Sequence, residues 1–390
     1  MNKSAPFCTI LMPCLNEAET LASCIRKAQQ SLTCLAIQGE VLIADNGSTD
    51  GSQELARSLG ARVVDIAQKG YGHALRGGIE AAAGKFIIMA DSDDSYDFSK
   101  VSPFFEKLQA GYDLVMGCRM PWGGGTILPG AMPWKHRWIG NPVLSFIGRL
   151  FFKCPVTDFH CGLRGFTKAA YLKMDLRTTG MELASEMVIK ATLQGMKITE
   201  VPITLHPDGR SRPPHLRSWR DGWRHLRFMM LFSPRWLFLI PGISLGAVGG
   251  LFLSLLAFQP LSLGPVVLDI NSMLVAAMML LVGFQLLYSA VFLRIYGFTQ
   301  GFLPDQPQLR VWLRRITLEK GVITGMCLAL TGFLLLLFAS LKWKSTGFGA
   351  LDPVSSVRQV VPAVTLLTLG VQVVFGSFFL SSLGINRPAD

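Results

Sequence analysis

The stretch Val41-Leu42-Ile43-Ala44-Asp45-Asn46-Gly47-Ser48-Thr49-Asp50-Gly51 decides the fold of the first half of the chain. Four apolar residues in a row are too few for a helix and enough for a strand buried on both faces. The run stops on an acid and a cluster of turn-forming residues, and residues 52–59 then read as helical. The same alternation extends outward. Residues 7–12 form an apolar run ending at Pro13, followed by Asn16 as an N-cap, Glu19 three residues on, and the apolar stripe Leu21, Cys24 and Ile25. Residues 63–66 predict a third strand, 73–83 an alanine-rich helix with Gly84 as its C-cap, 86–90 a fourth strand and 114–116 a fifth. Short apolar strands separated by helices predict an α/β domain with a mostly parallel sheet covered on both faces.

Ligands of such sheets bind beyond the carboxyl ends of the strands. Three strand ends carry chemistry: Pro13-Cys14-Leu15-Asn16-Glu17, the segment Asp45 onward, and Asp91-Ser92-Asp93-Asp94. A carboxylate after the second strand accepts hydrogen bonds from a base or a ribose. Carboxylates after the fourth suit Mg2+ or Mn2+, which take oxygen ligands and keep waters and phosphates, and the metal would neutralise a leaving diphosphate. One acidic turn alone is as often a solvated loop; two on one sheet edge argue for a site. Lys69-Gly70-Tyr71-Gly72 precedes a helix and reads as a weak anion site. Leu75 stands where a dinucleotide fingerprint has its third glycine, which argues against an oxidoreductase.

Only 16% of the 390 residues are charged, against about 25% in an average soluble domain. The shortfall is local. Residues 1–235 read as ordinary globular protein, and four apolar spans follow at about 236–258, 273–293, 321–341 and 360–383. Residues 259–272 hold no Lys or Arg, whereas Arg294, Arg310, Arg314, Arg315 and Lys320 crowd the next connection. The positive-inside rule makes that second connection cytoplasmic, and with it both termini and the soluble domain. Lys342, Lys344 and Arg358 dissent mildly. No signal-peptide pattern opens the chain, which agrees. The eight cysteines show no metal-type pairing and read as reduced thiols. His160, His206, His215 and His225 lack metal spacing, and the predicted spans hold no charge, which argues against ion pumping.

The net charge of +11 has a location: seven arginines and one acid, Asp221, lie between Arg210 and Arg235. Such a run binds nucleic acid, anionic lipid or phosphate. It ends where the first span begins, which favours a membrane surface or lipid phosphate over nucleic acid. Within it, Leu216, Trp219, Trp223, Leu226 and Met230 alternate with Arg217, Arg220, Arg224 and Arg227 at helical spacing, so residues 217–232 predict an amphipathic helix in the membrane interface. Residues 120–142 read as a mobile loop or lid, 181–194 as an amphipathic helix and 197–205 as a closing strand. The expected division is residues 1–209, 210–235 and 236–390.

The ordered set Pro13 to Glu17, Asp45 to Gly51, Lys69 to Gly78 and Asp91 to Asp93 resembles the successive motifs of family 2 glycosyltransferases. Over residues 6–235 the chain is similar to the polyprenyl-phosphate type within that family, of which dolichyl-phosphate mannose synthase is one. The resemblance implies a GT-A-like domain and an inverting transfer from a nucleotide sugar to a polyprenyl phosphate. It places base and ribose near Pro13, Leu15, Asn16, Glu17 and Asp45, with Lys69 and Asp91 on the nucleotide, and the metal at Asp91 and Asp93. Gly117-Cys118-Arg119 resembles the segment whose arginine faces the phosphates. Asp158 to Phe166 resembles the acceptor loop, and Met181 to Glu186 with Glu200-Val201-Pro202-Ile203 the acceptor helix and closing strand. Arg210-Ser211-Arg212 sits where relatives carry a basic loop that clamps the diphosphate. The chain departs at Ser95, where a glutamine is usual, at Leu15, where an aromatic is usual, and at the extra acids Asp94 and Asp97.

A phosphate monoester has a second pKa of about 6, so the acceptor is already mostly dianionic at neutral pH. Positive charge to hold two anions together matters more than a strong base. Arg119, Arg164, Arg210 and Arg212 are the expected phosphate ligands. Asp158 is expected to orient or deprotonate the acceptor, and Glu186 to touch sugar hydroxyls. The spans are expected to anchor the protein and to support a homo-oligomer. Two alternatives have other signatures. A processive polysaccharide synthase carries Gln-x-x-Arg-Trp, and here Phe232 precedes Arg235-Trp236 in the glutamine position. A non-catalytic membrane scaffold has only Ser95 in its favour.

Overall fold

The computed structural model describes residues 7–212, 218–299 and 317–384. The chain divides into two compact units, Met1–Met229 and Met230–Asp390. Arg310, Arg314 and Arg315, on which the orientation of the spans rests, lie outside the described residues, as do His215, Leu216 and Arg217.

The first unit is built on a seven-stranded sheet. Its chain order begins β1 (Cys8–Cys14), α1 (Ala18–Cys34), β2 (Gly39–Asp45), α2 (Ser52–Ser58), β3 (Arg62–Asp65), α3 (Tyr71–Ala81), β4 (Phe86–Met89), α4 (Ser102–Gln109) and β5 (Leu114–Cys118). It continues through β6 (Thr126–Ile127), α5 (Asn141–Phe152), β7 (Arg164–Thr167), α6 (Lys168–Met174), α7 (Leu183–Leu193), β8 (Ile198–Pro202), β9 (Thr204–Leu205) and α8 (Ser218–Leu231). The sheet order is β3-β2-β1-β4-β7-β5-β8. β7 runs antiparallel to β4 and β5, and the other pairings are parallel. The sheet is therefore mostly parallel, as expected, with one reversed strand that the sequence reading missed. Arg-Gly-Phe-Thr has no apolar run to announce a strand.

Several local expectations change. Helix α1 is capped at Glu17, and Asn16 instead takes a left-handed conformation with φ 59°. Its side-chain oxygen accepts from Thr49 N at 2.8 Å, so Asn16 fastens two loops together. Gly84 is no C-cap, since α3 ends at Ala81. A Cβ on Gly84 would lie 2.5 Å from Thr9 N, which is why only glycine passes beside β1 there. Residues 120–142 do not form an irregular lid. β6 pairs with β9 in a separate two-stranded ribbon, and a π-helical turn at His136–Gly140 leads directly into α5. The predicted strand 197–205 splits at Ile203 between the main sheet and that ribbon. Helix α7 is enclosed on all sides, Ser185 to Ala191 being buried, so it is a core helix with no solvent face.

The second unit contains α9 (Ile240–Leu256), the hairpin β10 (Leu261–Leu263) and β11 (Val266–Leu268), α10 (Ile270–Thr299), α11 (Leu318–Ser345) and α12 (Pro353–Gly384). Four segments are long and apolar enough to cross a membrane: Arg235–Leu256, Ile270–Phe298, Leu318–Ser345 and Pro353–Ser382. The helices outrun the predicted apolar windows, so Arg294, Lys342, Lys344 and Arg358 belong to helices and not to loops. Arg358 pairs with Asp269 at 2.5 Å, joining the start of α12 to the start of α10. Small residues set the helix contacts. A Cβ on Gly249 would come within 2.6 Å of Ala276 O, and one on Gly332 within 2.6 Å of Ala363 O.

Candidate active site

The register of the sheet brings the acidic turns together. Cys14 pairs with Asp45 at the ends of β1 and β2, and β4 flanks β1 on its other side. Backbone and hydroxyl bonds then lock the loops to one another. Asn16 N donates to Ser48 Oγ at 2.8 Å, Glu17 N to Ser52 Oγ at 3.0 Å and Ala18 N to Asp50 Oδ2 at 2.9 Å. Ser92 Oγ donates to Pro13 O at 2.8 Å, and Thr20 Oγ1 to Ser92 O at 2.7 Å.

Asp45 is buried, and its Oδ2 accepts from Gly47 N, Ser48 N and Gln53 Nε2 at 2.8, 3.0 and 2.7 Å. Burial opposes ionisation, but the bonds from Ser48, Gly47 and Gln53 outweigh it and hold the carboxyl below its usual range. The other oxygen, Oδ1, is buried with no hydrogen-bond partner. An ionised oxygen left in that state is an acceptor awaiting a donor. Glu17 presents a similar orphan, Oε2. Burial raises the Glu17 pKa despite the opposing charges of Arg210 and Arg212.

Asp91 Oδ1 accepts from the Tyr71 hydroxyl at 2.8 Å. Burial, then the neighbouring Asp93 carboxylate, push Asp91 up to about 6. Asp93 Oδ1 accepts from both Ser95 N and Ser95 Oγ, at 3.1 and 2.5 Å. Ser95, the departure from the usual glutamine, thus aims the second carboxylate. Asp94 takes a left-handed conformation, φ 61°, and turns away to bind Lys27 Nζ at 2.7 Å and Ser23 Oγ at 3.0 Å. The extra acid tethers the turn to α1, a role that residue type alone did not reveal. A Cβ added to Gly162 would lie 2.9 Å from Asp91 Oδ2, so the 158–166 loop leaves that oxygen its space. No cluster of three or more His, Cys, Asp or Glu suited to a metal occurs among the described residues. Two hard carboxylates on one turn fit Mg2+ or Mn2+, because these ions complete their shells with water and phosphate oxygens.

A basic strap crosses this acidic edge. Arg210 bridges Glu17 Oε1 at 3.1 Å and Asp93 Oδ2 at 2.5 Å. Gly209 N donates to Asp93 O at 3.0 Å. Arg212 donates to Glu17 Oε1 at 2.8 Å and to the carbonyls of Leu15 and Asn16. Ser211 donates through N and Oγ to Glu19. The Arg210-Ser211-Arg212 segment is therefore brought onto the loops predicted to hold nucleotide and metal.

Other predicted residues have different positions. Lys69 Nζ donates to Asn46 O at 2.7 Å. The first amides around α3 are taken by protein acceptors, Gly70 N by Asn46 Oδ1 and Gly72 N by Thr179 O, so this helix start is no free anion site. Asn46, not singled out from sequence, also donates to Ile66 O and Gln68 O, and it organises the whole corner. Arg164 on β7 is wholly buried and donates to the carbonyls of Cys161 and Ala184. Burial lowers its pKa, countered by Tyr71, Tyr96 and Asp91 nearby. It holds the 158–166 loop against α7, its guanidinium being taken by these carbonyls. Asp158 is buried in a two-bond pair with Arg119, Nε to Oδ2 at 2.7 Å and Nη2 to Oδ1 at 2.8 Å, so neither serves as the expected base or phosphate ligand in this arrangement. Glu200 fixes the same loop, accepting from Thr157 N, Thr157 Oγ1 and Asp158 N. Glu186 is buried, pairs with Lys190 at 2.8 Å and accepts from Arg177 N, Thr178 N and Thr178 Oγ1. It caps the 175–180 turn and presents nothing to a sugar.

An α/β sheet whose carboxyl edge combines a buried Asx turn with an Asp-x-Asp turn is the architecture of a GT-A-like sugar-transferring domain, here followed by a multi-helix membrane region. The comparisons agree in both parts: the model "Glycosyl transferase family 2" matches residues 9–174 and "Glycosyltransferase family 2 C-terminal transmembrane region" matches 291–384. The chain belongs to glycosyltransferase family 2. It is 38% identical to low-salt glycan biosynthesis hexosyltransferase Agl6 of Haloferax volcanii over 97% of this chain and 90% of that one. It is 28% identical to a dolichyl-phosphate hexose transferase of the same organism, over 50% of this chain and 80% of the relative. Among solved structures, glucosyl-3-phosphoglycerate synthase from Mycobacterium tuberculosis with Mn2+ and UDP-glucose aligns at 22% identity and a TM-score of 0.46, covering 58% of this chain and 78% of that one. The protein is an integral membrane glycosyltransferase.

Proposed function

We propose that this chain transfers a single hexose from a nucleotide-diphosphate sugar to a polyprenyl phosphate, with inversion, at the cytoplasmic face of a membrane. The observation that carries the reading is the acidic edge itself. Two buried oxygens, Asp45 Oδ1 and Glu17 Oε2, have no hydrogen-bond partner, and the arginines of the 210–212 strap pair with Glu17 and with Asp93 on the same edge. The orphans suit the donor groups of a nucleoside, and the arginines suit its diphosphate. The named activities of the two Haloferax relatives, a hexosyltransferase and a dolichyl-phosphate hexose transferase, support the sugar class and the acceptor class.

Asp91 and Asp93 would hold Mg2+ or Mn2+, which when bound neutralises charge on the leaving diphosphate. The chain's own residues do the rest. Ser95 and Tyr71 orient the two carboxylates. Arg210 and Arg212 exchange their carboxylate partners for phosphate oxygens as the donor enters. An oxygen of the acceptor phosphate attacks the anomeric carbon as the bond to the diphosphate oxygen breaks, and the nucleoside diphosphate leaves with the bonding electrons. The acceptor needs no strong base, because its second pKa is about 6. That suits a site whose Asp158 is committed to Arg119. Trp219 and Trp223, both exposed, and the exposed Arg220, Arg224 and Arg227 on α8 suit a helix lying at the lipid headgroups, where the acceptor phosphate resides.

Isothermal titration of the purified full chain with UDP-, GDP- and related sugars, with and without Mn2+, tests the donor half. The expected result is binding of one nucleotide sugar that strengthens with Mn2+. Absence of binding to any of them in either condition would contradict the proposal.

A further inference from the structure

Glu186, the expected sugar contact on α7, spends its carboxylate on Lys190 and on the amides of Arg177 and Thr178. One turn earlier stands Glu182, which the proposed mechanism does not use. It is the N-cap residue of α7, yet its side chain makes no capping bond. Its Oε2 is buried with no hydrogen-bond partner among the described residues. The residue as a whole is only half-buried, so a ligand can reach the carboxylate. A carboxylate oxygen held out of water without a donor is costly until something supplies one.

Contacts on two sides fix where that carboxylate lies. It folds back over Gly180, where an added Cβ would meet Oε2 at 2.5 Å and Oε1 at 3.1 Å. The backbone of Thr179 and Gly180 rests on the start of α3: Gly72 N donates to Thr179 O at 3.0 Å, and a Cβ on Gly72 would come within 2.9 Å of Gly180 N. Tyr71, next to Gly72, donates to Asp91 Oδ1 at 2.8 Å. On the other side Arg164 donates to Ala184 O at 2.9 Å, two residues after Glu182, and its charge acts on both Asp91 and Tyr71. The turn that carries Glu182 is thus fastened from both directions to the groups around Asp91.

The chemistry of the free acceptor selects its ligand. A carboxylate repels a diphosphate and has no proton to offer it. Among the described residues Glu182 joins no cluster of three that would hold a metal ion. A sugar supplies O–H donors, and hydroxyls on adjacent carbons can address both carboxylate oxygens. We propose that Glu182 accepts hydrogen bonds from hydroxyl groups of the transferred hexose and so selects the sugar. The inference rests on the proposed donor reading. It leaves the nucleotide and the diphosphate to the other residues of the edge, and Gly180 gives the carboxylate its room.

Isothermal titration of the full chain with Mn2+ tests this, comparing UDP-glucose and UDP-N-acetylglucosamine with UDP, and GDP-mannose with GDP. Glu182→Gln keeps the shape of the side chain and removes its charge. It is expected to weaken binding of the nucleotide sugar that the parent prefers by about ten- to a hundredfold, and to leave the matching nucleoside diphosphate within about twofold. Gly180→Ala retains the carboxylate and displaces it, and should produce the same split. Equal loss of nucleotide sugar and nucleoside diphosphate in Glu182→Gln would overturn the proposal, because the residue would then be structural. A parent that binds none of the three sugars would overturn the donor reading and this inference together. A binding parent matched by Glu182→Gln would overturn this inference alone.

Discussion

Arg119 and Asp158 form a closed, buried pair: Nε and Nη2 of the arginine meet Oδ2 and Oδ1 of the aspartate at 2.7 and 2.8 Å, and Arg119 N adds a third bond at 2.9 Å. Taking one member away leaves the other charged and dry, which costs about 3–5 kcal/mol. Asp158→Ala and Arg119→Ala should therefore each lower the thermal unfolding midpoint of the purified protein. Arg119→Met with Asp158→Leu should recover most of the loss. A catalytic base would behave differently: Asp158→Ala would keep its stability and lose only turnover.

Asp93 is aimed by Ser95 and lies at the sheet edge, so its removal should strike chemistry and spare the fold. Asp93→Ala is expected to reduce sugar transfer by about a hundredfold or more. The protein should still insert in membranes, and its unfolding midpoint should fall less than in Asp158→Ala, because Arg210 keeps Glu17 as a partner. Full residual activity with purified enzyme would remove the metal assignment.

Arg210 presents a guanidinium to the carboxylate that would otherwise face a metal ion. In the proposed arrangement the two cations compete for Asp93 when no nucleotide is bound. Arg210→Gln should therefore tighten Mn2+ binding in the absence of donor, measured by electron paramagnetic resonance, and weaken nucleotide-sugar binding in its presence. A variant that binds Mn2+ no better than the parent would show that the arginine is no competitor.

The inner face of α8 buries a histidine, His225. His225 Nδ1 lies 2.8 Å from Ser185 Oγ, and the His160 ring sits 4.6 Å away, with Asp221 and Arg164 the charged neighbours. Burial depresses His225 to about 4 from an ordinary 6.5; Asp221 opposes the shift and Arg164 adds to it. The ring is thus neutral when docked and protonated when exposed below about pH 6.5. Its contribution to docking is complete above that pH and is lost as pH falls toward 4, by about 3 kcal/mol in all. Hydrogen exchange of the α8 amides should accelerate through this window, and His225→Asn should flatten the response.

The acidic edge was legible in the sequence because strand ends are marked twice, by the apolar run before and by the turn residues after. That is how Asp45, Asp91 and Asp93 were placed together on one edge, which the sheet register reproduces. The partners of Arg164, Asp158 and Glu186 were not legible, for a single reason. A charged side chain far from any strand end looks like a surface or catalytic group until its partner is known, and here the partners are Cys161 and Ala184 carbonyls, Arg119 and Lys190. β7 escaped because its four residues carry no periodicity, and the Trp-, Gly- and Pro-rich approach to α5 masked a helix whose apolar stripe faces outward.

The most direct measurement is product analysis. Purified protein in vesicles containing undecaprenyl or dolichyl phosphate is given radiolabelled nucleotide sugars with Mg2+ or Mn2+, and the lipid extract is resolved by chromatography and mass spectrometry. The account predicts one lipid carrying a single hexose on its phosphate, with the anomeric configuration inverted relative to the donor. A growing polymer, or free sugar with no lipid-linked product from any donor, would contradict it.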